Sequence, residues 1–260
     1  MNEQDLLQRI QTAWQGILSS KLTGIYVHGS IAFGCFRWES SDIDFLAVVE
    51  TPLTQTEKEA LIRVLLELDS FAPAKGFEMS VILRSACMPF ADPTPYELHY
   101  SNAYRASYQR DLAGTCRSLQ GYDPDLAAHI TVINHVGITL CGLPREQVFA
   151  PVPRESYLRS LWYDIENAES EAERDPVYFT LNLCRIAAYL QNGQVLSKQQ
   201  GGEWGLAHLP EDAPLIRAAL AAYQTGMLPA VMPSACYFAK KMLARIRQNA
   251  VFLSHSTKND

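Results

Sequence analysis

Two aspartates spaced two residues apart, Asp42 and Asp44, open the apolar run Ile43-Asp44-Phe45-Leu46-Ala47-Val48-Val49 in this chain of 260 residues. Alternate side chains of a strand share a face, so the two carboxylates project together while Ile43 and Phe45 point into a core. Carboxylates held side by side repel unless a cation lies between them, and this oxygen-only pair predicts Mg²⁺. Just upstream, Val27-His28-Gly29-Ser30-Ile31-Ala32-Phe33-Gly34 sets a Gly-Ser turn directly after an apolar strand. Backbone N–H groups at Gly29 and Ser30, with the Ser30 hydroxyl, form a cradle suited to phosphate. A third acid, Glu78, interrupts the alternating strand Phe77-Glu78-Met79-Ser80-Val81-Ile82-Leu83, where an unpaired carboxylate is costly. The competing reading is a solvated acidic edge, which gives Asp42 and Asp44 no reason to be neighbours.

The elements that must position these groups follow from periodicity. Leu6, Leu7, Ile10, Trp14, Ile17 and Leu18 recur at helical spacing, and Gly24 is read as the stop of that helix. Strands are expected over Ile25–Val27, Ile43–Val49 and Phe77–Leu83. Between the last two, Thr54-Gln55-Thr56-Glu57 reads as a capping box for a helix running to about Asp69. A proline-rich loop, Pro89 to Pro95, precedes an extended segment from Tyr96 to Ser101. Asp123-Pro124 is read as a helix start, with Leu126, Ile130, Ile133, Val136 and Leu140 carrying that helix to Gly142. Phe149-Ala150-Pro151-Val152-Pro153 reads as a linker. Beyond it the pattern is helical throughout. One helix carries Tyr157 to Ile165, and an acidic turn spans Glu166 to Asp175. Then come a helix from Pro176 to a Gly193 stop, one capped by Ser197, one over Ala213–Gln224 and one over Pro233–Val251, with a frayed tail from Ser254 to Asp260. The expected architecture is α+β: a domain over residues 1–150 with a small mixed sheet flanked by helices, then an all-helical bundle over residues 151–260.

Composition narrows the partners. A net charge of −6 argues against a nucleic-acid grip and suits a cationic small molecule. The six cysteines show no metal or disulfide spacing and read as reduced, mostly buried thiols. The N-terminus lacks a signal pattern and no run is long enough to span a bilayer, so a cytoplasmic enzyme, working as a monomer, is expected.

The Gly-Ser turn, the spacer holding Gly34, and Ser-Asp-Ile-Asp running into a strand together resemble the signature of the nucleotidyltransferase superfamily that includes DNA polymerase beta. The resemblance implies that the first domain is catalytic, and that Glu78 stands where the superfamily carries its third acid. Three later stretches narrow it: His135 to Gly142, read as helical; Asn182-Leu183-Cys184-Arg185-Ile186; and Ser197-Lys198-Gln199-Gln200-Gly201-Gly202-Glu203-Trp204. With these the chain resembles the aminoglycoside adenylyltransferases of the streptomycin/spectinomycin type over nearly its whole length.

That resemblance implies transfer of AMP from ATP, the co-substrate, to a hydroxyl of an antibiotic, conferring resistance, with two Mg²⁺ ions held by Asp42 and Asp44. Glu78 is implied as the general base or as a metal-side acid that orients the acceptor, Ser30 and Ser41 as phosphate ligands, and Asp125, Arg185, Lys198 and Tyr223 as nucleotide contacts. The helical domain then completes the cleft for ATP and substrate. The acidic turn ending at Asp175 offers a place for ammonium groups, although Asp175-Pro176 is also a good helix start and Asp164, Glu166, Glu169, Glu171 and Glu173 also read as a solvated face. Dual-specificity relatives carry a tryptophan in that turn. Residues 166–174 contain no aromatic residue, so spectinomycin is favoured over streptomycin. Two alternatives stay open: a nucleotidyltransferase acting on another small molecule or a protein, and a non-catalytic nucleotide-binding module.

Overall fold

The computed structural model describes residues 1–228 and 235–249, which fall into two compact units, Met1–Pro153 and Arg154 onward. In the first unit the elements are α1 (Glu3–Leu18), β1 (Leu22–Val27), α2 (Gly29–Ala32), β2 (Ile43–Val49), α3 (Gln55–Leu68), β3 (Phe77–Leu83) and α4 (Arg84–Cys87). They continue with β4 (Thr94–Tyr96), β5 (Leu98–Tyr100), α5 (Arg105–Arg110), α6 (Leu112–Ser118), β6 (Gly121–Asp123), α7 (Leu126–Val136) and β7 (Ile138–Gly142). The second unit holds α8 (Arg154–Tyr163), α9 (Ala168–Glu171), α10 (Pro176–Asn192), α11 (Lys198–His208), α12 (Ala213–Thr225) and α13 (Ala235–Asn249). The ends of the expected helix over Pro233–Val251, and the tail from Ser254, lie outside the described residues.

The first unit is built on a mixed five-stranded sheet in the order β5-β3-β2-β1-β7. β2 and β3 are parallel and joined through α3, while the other pairings are antiparallel. One face carries Ile25, Val27, Phe45, Ala47, Met79 and Val81 and is covered by α1 and α3. Trp14 of α1 meets Phe45 edge to face, with ring centroids 5.3 Å apart. The other face carries Tyr26, Leu46, Val48 and Ile82 beneath Leu126, Ile130 and Ile133 of α7, with Val148 and Phe149. This apolar face is the shorter because its Asp44, Glu78 and Ser80 end is polar.

Local signals hold where their partners are close in sequence. Thr54 Oγ1 accepts from the Glu57 N–H and the Glu57 carboxylate accepts from the Thr54 N–H, as the capping box requires. Three assignments are corrected. Asp123 does not start α7; it ends β6, and the helix begins at Leu126 after Asp125. Gly24 does not end α1; it lies inside β1, paired with Val48 on one side and Gly142 on the other. The helix through His135 stops at Val136, where the Gly137 N–H closes on the Ile133 carbonyl. Ile138–Gly142 is instead the edge strand β7, antiparallel to β1. Thr139 and Leu140 take strand geometry because β1 supplies a ladder, a non-local cause that overrides the helical spacing of Ile133, Val136 and Leu140.

In the second unit α10 is the central helix, packing against α11, α12 and α13. Asp175 caps it by accepting from the Tyr178 N–H, Pro176 occupies its first position, and left-handed Gly193 ends it. Leu181, Leu183, Cys184, Ile186 and Ala188 are buried, as is the polar Asn182. α11 starts with a reciprocal Ser197–Gln200 capping box.

Candidate active site

β2 and β3 run in register, with Asp44 directly beside Glu78. Parallel partners share a face, and Asp42, just before β2, joins them: one ligand oxygen from each of Asp42, Asp44 and Glu78 lies within 4.8 Å of the others. All three residues are half-buried. A donor set made only of carboxylate oxygens fits a hard divalent cation such as Mg²⁺, which also relieves the repulsion among three like charges.

α2 presses the Gly-Ser turn against this cluster. Gly29 has φ +59°, and a Cβ there would fall 1.8 Å from Asp44 Oδ2, so only glycine lets the backbone approach the carboxylate. The His28 N–H donates to the Asp44 carbonyl at 3.1 Å, tying the turn to β2. Ser30 Oγ is buried with no hydrogen-bond partner among the described residues, an orphan consistent with a ligand oxygen. Ser41 is only 3% exposed, and its hydroxyl accepts from the Arg37 N–H at 3.1 Å, so it shapes the loop before Asp42 and keeps its O–H to donate.

Three histidines that sequence reasoning passed over surround the polar end of the sheet. His28 and His129 of α7 face each other with ring centroids 4.6 Å apart. Burial, and then the neighbouring His129, hold the His28 ring well below its ordinary range. His99 Nδ1 is hydrogen-bonded to Ser80 Oγ at 2.9 Å, and its ring packs edge-on between Tyr96 and Tyr104. Asp125 stands at the N-terminal end of α7, one turn before His129, and its N–H donates to Asp123 Oδ1 at 2.9 Å.

The second unit gathers the predicted cations. Arg185 Nη2 donates to Asp164 Oδ2 at 3.4 Å, and Lys198 Nζ lies 4.7 Å from the centroid of the Tyr178 ring. Asp164 also accepts from the Tyr178 hydroxyl and from Asn182 Nδ2. The solvated-face reading fails for Asp164, whose side chain is 19% exposed. The signal that could have found this cluster is the spacing Tyr178, Asn182, Arg185, a polar stripe along an otherwise buried helix. Asp175 sits at the same end of α10, exposed and acting as its cap. Tyr223 is half-buried near the end of α12. Trp162, the tryptophan nearest the acidic segment, is covered by the Arg247 guanidinium at 5.1 Å from the ring centroid.

Residues 147–244 match the family described as the aminoglycoside adenylyltransferase C-terminal domain. The chain is 27% identical over 214 residues to a spectinomycin 9-adenylyltransferase of Staphylococcus aureus, covering 79% of each chain. It shows the same identity and coverage with an aminoglycoside (3'') (9) adenylyltransferase of Klebsiella pneumoniae, 27% over 214 residues and 79% of each chain. The fold is similar to that of the spectinomycin adenyltransferase AAD(9) from Enterococcus faecalis, solved with ATP and spectinomycin. The TM-score is 0.80 at 19% identity, over 95% of this chain and 100% of that one. No helix among the described residues is long and apolar enough to cross a membrane.

Proposed function

We propose that the chain is an aminoglycoside adenylyltransferase, transferring AMP from ATP to a hydroxyl of spectinomycin in preference to streptomycin. The observation that carries the proposal is the convergence of Asp42, Asp44 and Glu78 on one edge of the sheet. Asp42 and Asp44, with Glu78 beside them, would hold Mg²⁺, which would neutralise phosphate charge and polarise the α-phosphorus.

The chain's own groups supply the rest. The Gly29 N–H and the Ser30 hydroxyl donate to phosphate oxygens, with the Ser41 O–H behind them, while Asp125 and Tyr223 contact the nucleotide. A carboxylate oxygen of Glu78 takes the proton of the acceptor hydroxyl as that oxygen bonds to the α-phosphorus. The bond from the α-phosphorus to the bridging oxygen breaks and pyrophosphate leaves, its growing negative charge met by Arg185 and Lys198. Carboxylates come from the first unit and cations from the second, so the reaction needs both. The net charge of −6 favours an acceptor bearing ammonium groups, for which Asp175 is the nominated contact. We place the reaction in the cytoplasm, where ATP is supplied. Spectinomycin is favoured because residues 166–174 offer no aromatic platform and Trp162 is capped by Arg247.

The test is pyrophosphate release from ATP and Mg²⁺ with each antibiotic in turn, for the wild-type protein and Glu78→Gln. Release is expected with spectinomycin and not with streptomycin. The variant should keep ATP binding and lose about 10²–10⁴-fold in turnover, the range of a positioned general base. Release with both antibiotics overturns the specificity. Release with neither overturns the choice of acceptor.

A further inference from the structure

Asp164 lies immediately after α8, and its carboxylate collects three donors from a single face of α10. The Tyr178 hydroxyl reaches Oδ1, Asn182 Nδ2 reaches Oδ2 at 3.2 Å and Arg185 Nη2 reaches Oδ2 at 3.4 Å. The two charged side chains are 19% and 22% exposed, so solvent screens the pair only in part. Beside them Lys198 rests over the Tyr178 ring, 4.7 Å from its centroid. Asp164 thus holds Arg185 directly and, through the Tyr178 hydroxyl, the ring beneath Lys198. Arg185 presents a planar fork of N–H donors and spends one, at long range, on Asp164. Its Nε is buried with no hydrogen-bond partner among the described residues. A guanidinium so oriented retains donors for an anion. The Tyr178 hydroxyl, fixed by the same carboxylate, sets the ring on which Lys198 lies.

We infer that Asp164 is a positioning residue for nucleotide binding: it orients Arg185 directly, and Lys198 through Tyr178, so that both cations meet the phosphates of ATP. The inference rests on the proposed reading that Arg185 and Lys198 contact ATP.

The experiment is a double-mutant cycle on the full chain, reading the affinity for a non-hydrolysable ATP analogue with Mg²⁺ by titration calorimetry. Asp164→Asn keeps the size of the side chain and one acceptor oxygen but removes the charge. It should weaken nucleotide binding about ten- to a hundredfold, the range for losing hydrogen bonds to a charged group. At saturating ATP the KM for spectinomycin should stay within about twofold of wild type, since no role in acceptor binding is assigned to Asp164. In an Arg185→Met background the same change should cost only about twofold more, because its chief route is gone. Should Asp164→Asn also lower the melting temperature, Tyr178→Phe replaces it, removing one donor of the three. That variant must weaken nucleotide binding severalfold without altering the KM for spectinomycin. Unchanged nucleotide affinity in Asp164→Asn, or multiplicative losses in the double variant, overturns the inference. A wild-type protein that binds the analogue yet adenylylates neither antibiotic overturns the acceptor reading alone, and the cycle still decides the role of Asp164.

Discussion

Gly29 and Gly34 differ in what surrounds them but not in backbone conformation, and the difference isolates the carboxylate cluster. Both have positive φ, +59° and +70°. Alanine at either site pays the left-handed penalty of about 1–2 kcal/mol. At Gly34 nothing lies within 4 Å of the added Cβ, whereas at Gly29 it would fall 1.8 Å from Asp44 Oδ2, 2.6 Å from Cγ and 2.9 Å from Cβ. Three atoms of one side chain are in the way, so Asp44 must leave its place beside Glu78. If Asp44 helps to hold a metal that supplies about 4 kcal/mol of transition-state stabilisation, its misplacement costs about a thousandfold in rate. Initial rates of pyrophosphate release and urea unfolding should therefore separate the two variants. Gly34→Ala should lose about 1–2 kcal/mol of stability with kcat/KM within about twofold of wild type. Gly29→Ala should lose that stability and the thousandfold as well, with a raised Mg²⁺ requirement. Equal rates in the two variants would refute the claim that Gly29 is there to let Asp44 stand where it does.

Two further outcomes follow from the packing. A Cβ at Gly201 would lie 2.7 Å from Arg185 Cβ and 2.9 Å from its backbone nitrogen, so Gly201→Ala must push α11 off α10. It should cost about 1–3 kcal/mol of stability by chemical denaturation and weaken ATP binding, because Arg185 and Lys198 lie on the two helices being separated. Burial chiefly, then His129, lower the His99 pKa, against an opposing pull from Asp123. The folded protein thus keeps this ring neutral where the unfolded chain, titrating near pH 6.5, takes up a proton. The stability His99 contributes is whole above that pH and is lost as the pH falls toward the folded value, by at most about 1.4 kcal/mol per pH unit. The stability cost of His99→Gln, measured by urea midpoints from pH 7.5 to pH 5, should therefore shrink on acidification.

Signals that act over a few residues were legible in the sequence. Thr54 with Glu57, Asp175 with Pro176, Ser197 with Gln200, and the alternation from Phe77 to Leu83 each carry their own reason for the local structure. Asp42, Asp44 and Glu78 were legible for the same reason: strand alternation assigns them a face before any partner is known. Ile138–Gly142 was misread because its helical spacing is local while its strand pairing with β1 reaches back more than a hundred residues. The short helices α5 and α6 carry too few residues for a periodic pattern and went unassigned. Asp164 was hidden among acidic neighbours because its donors come from the following helix, 14 to 21 residues on. Arg185 and Lys198 were nominated only through family resemblance, since a lone cation on a helix carries no local mark of its task.

The ladder that sets Asp44 beside Glu78 also sets Phe45 beside Met79, Ala47 beside Val81 and Val49 beside Leu83. Sliding β3 by one residue would turn Glu78 toward Trp14 and Phe45 and leave Asp44 facing a core side chain. The spacing of the carboxylates and the packing of the core are thus set by one register. A slipped register leaves neither the carboxylate spacing nor the core intact. Loss of activity during storage or heating should then count molecules lost and not a gradual blunting of each one.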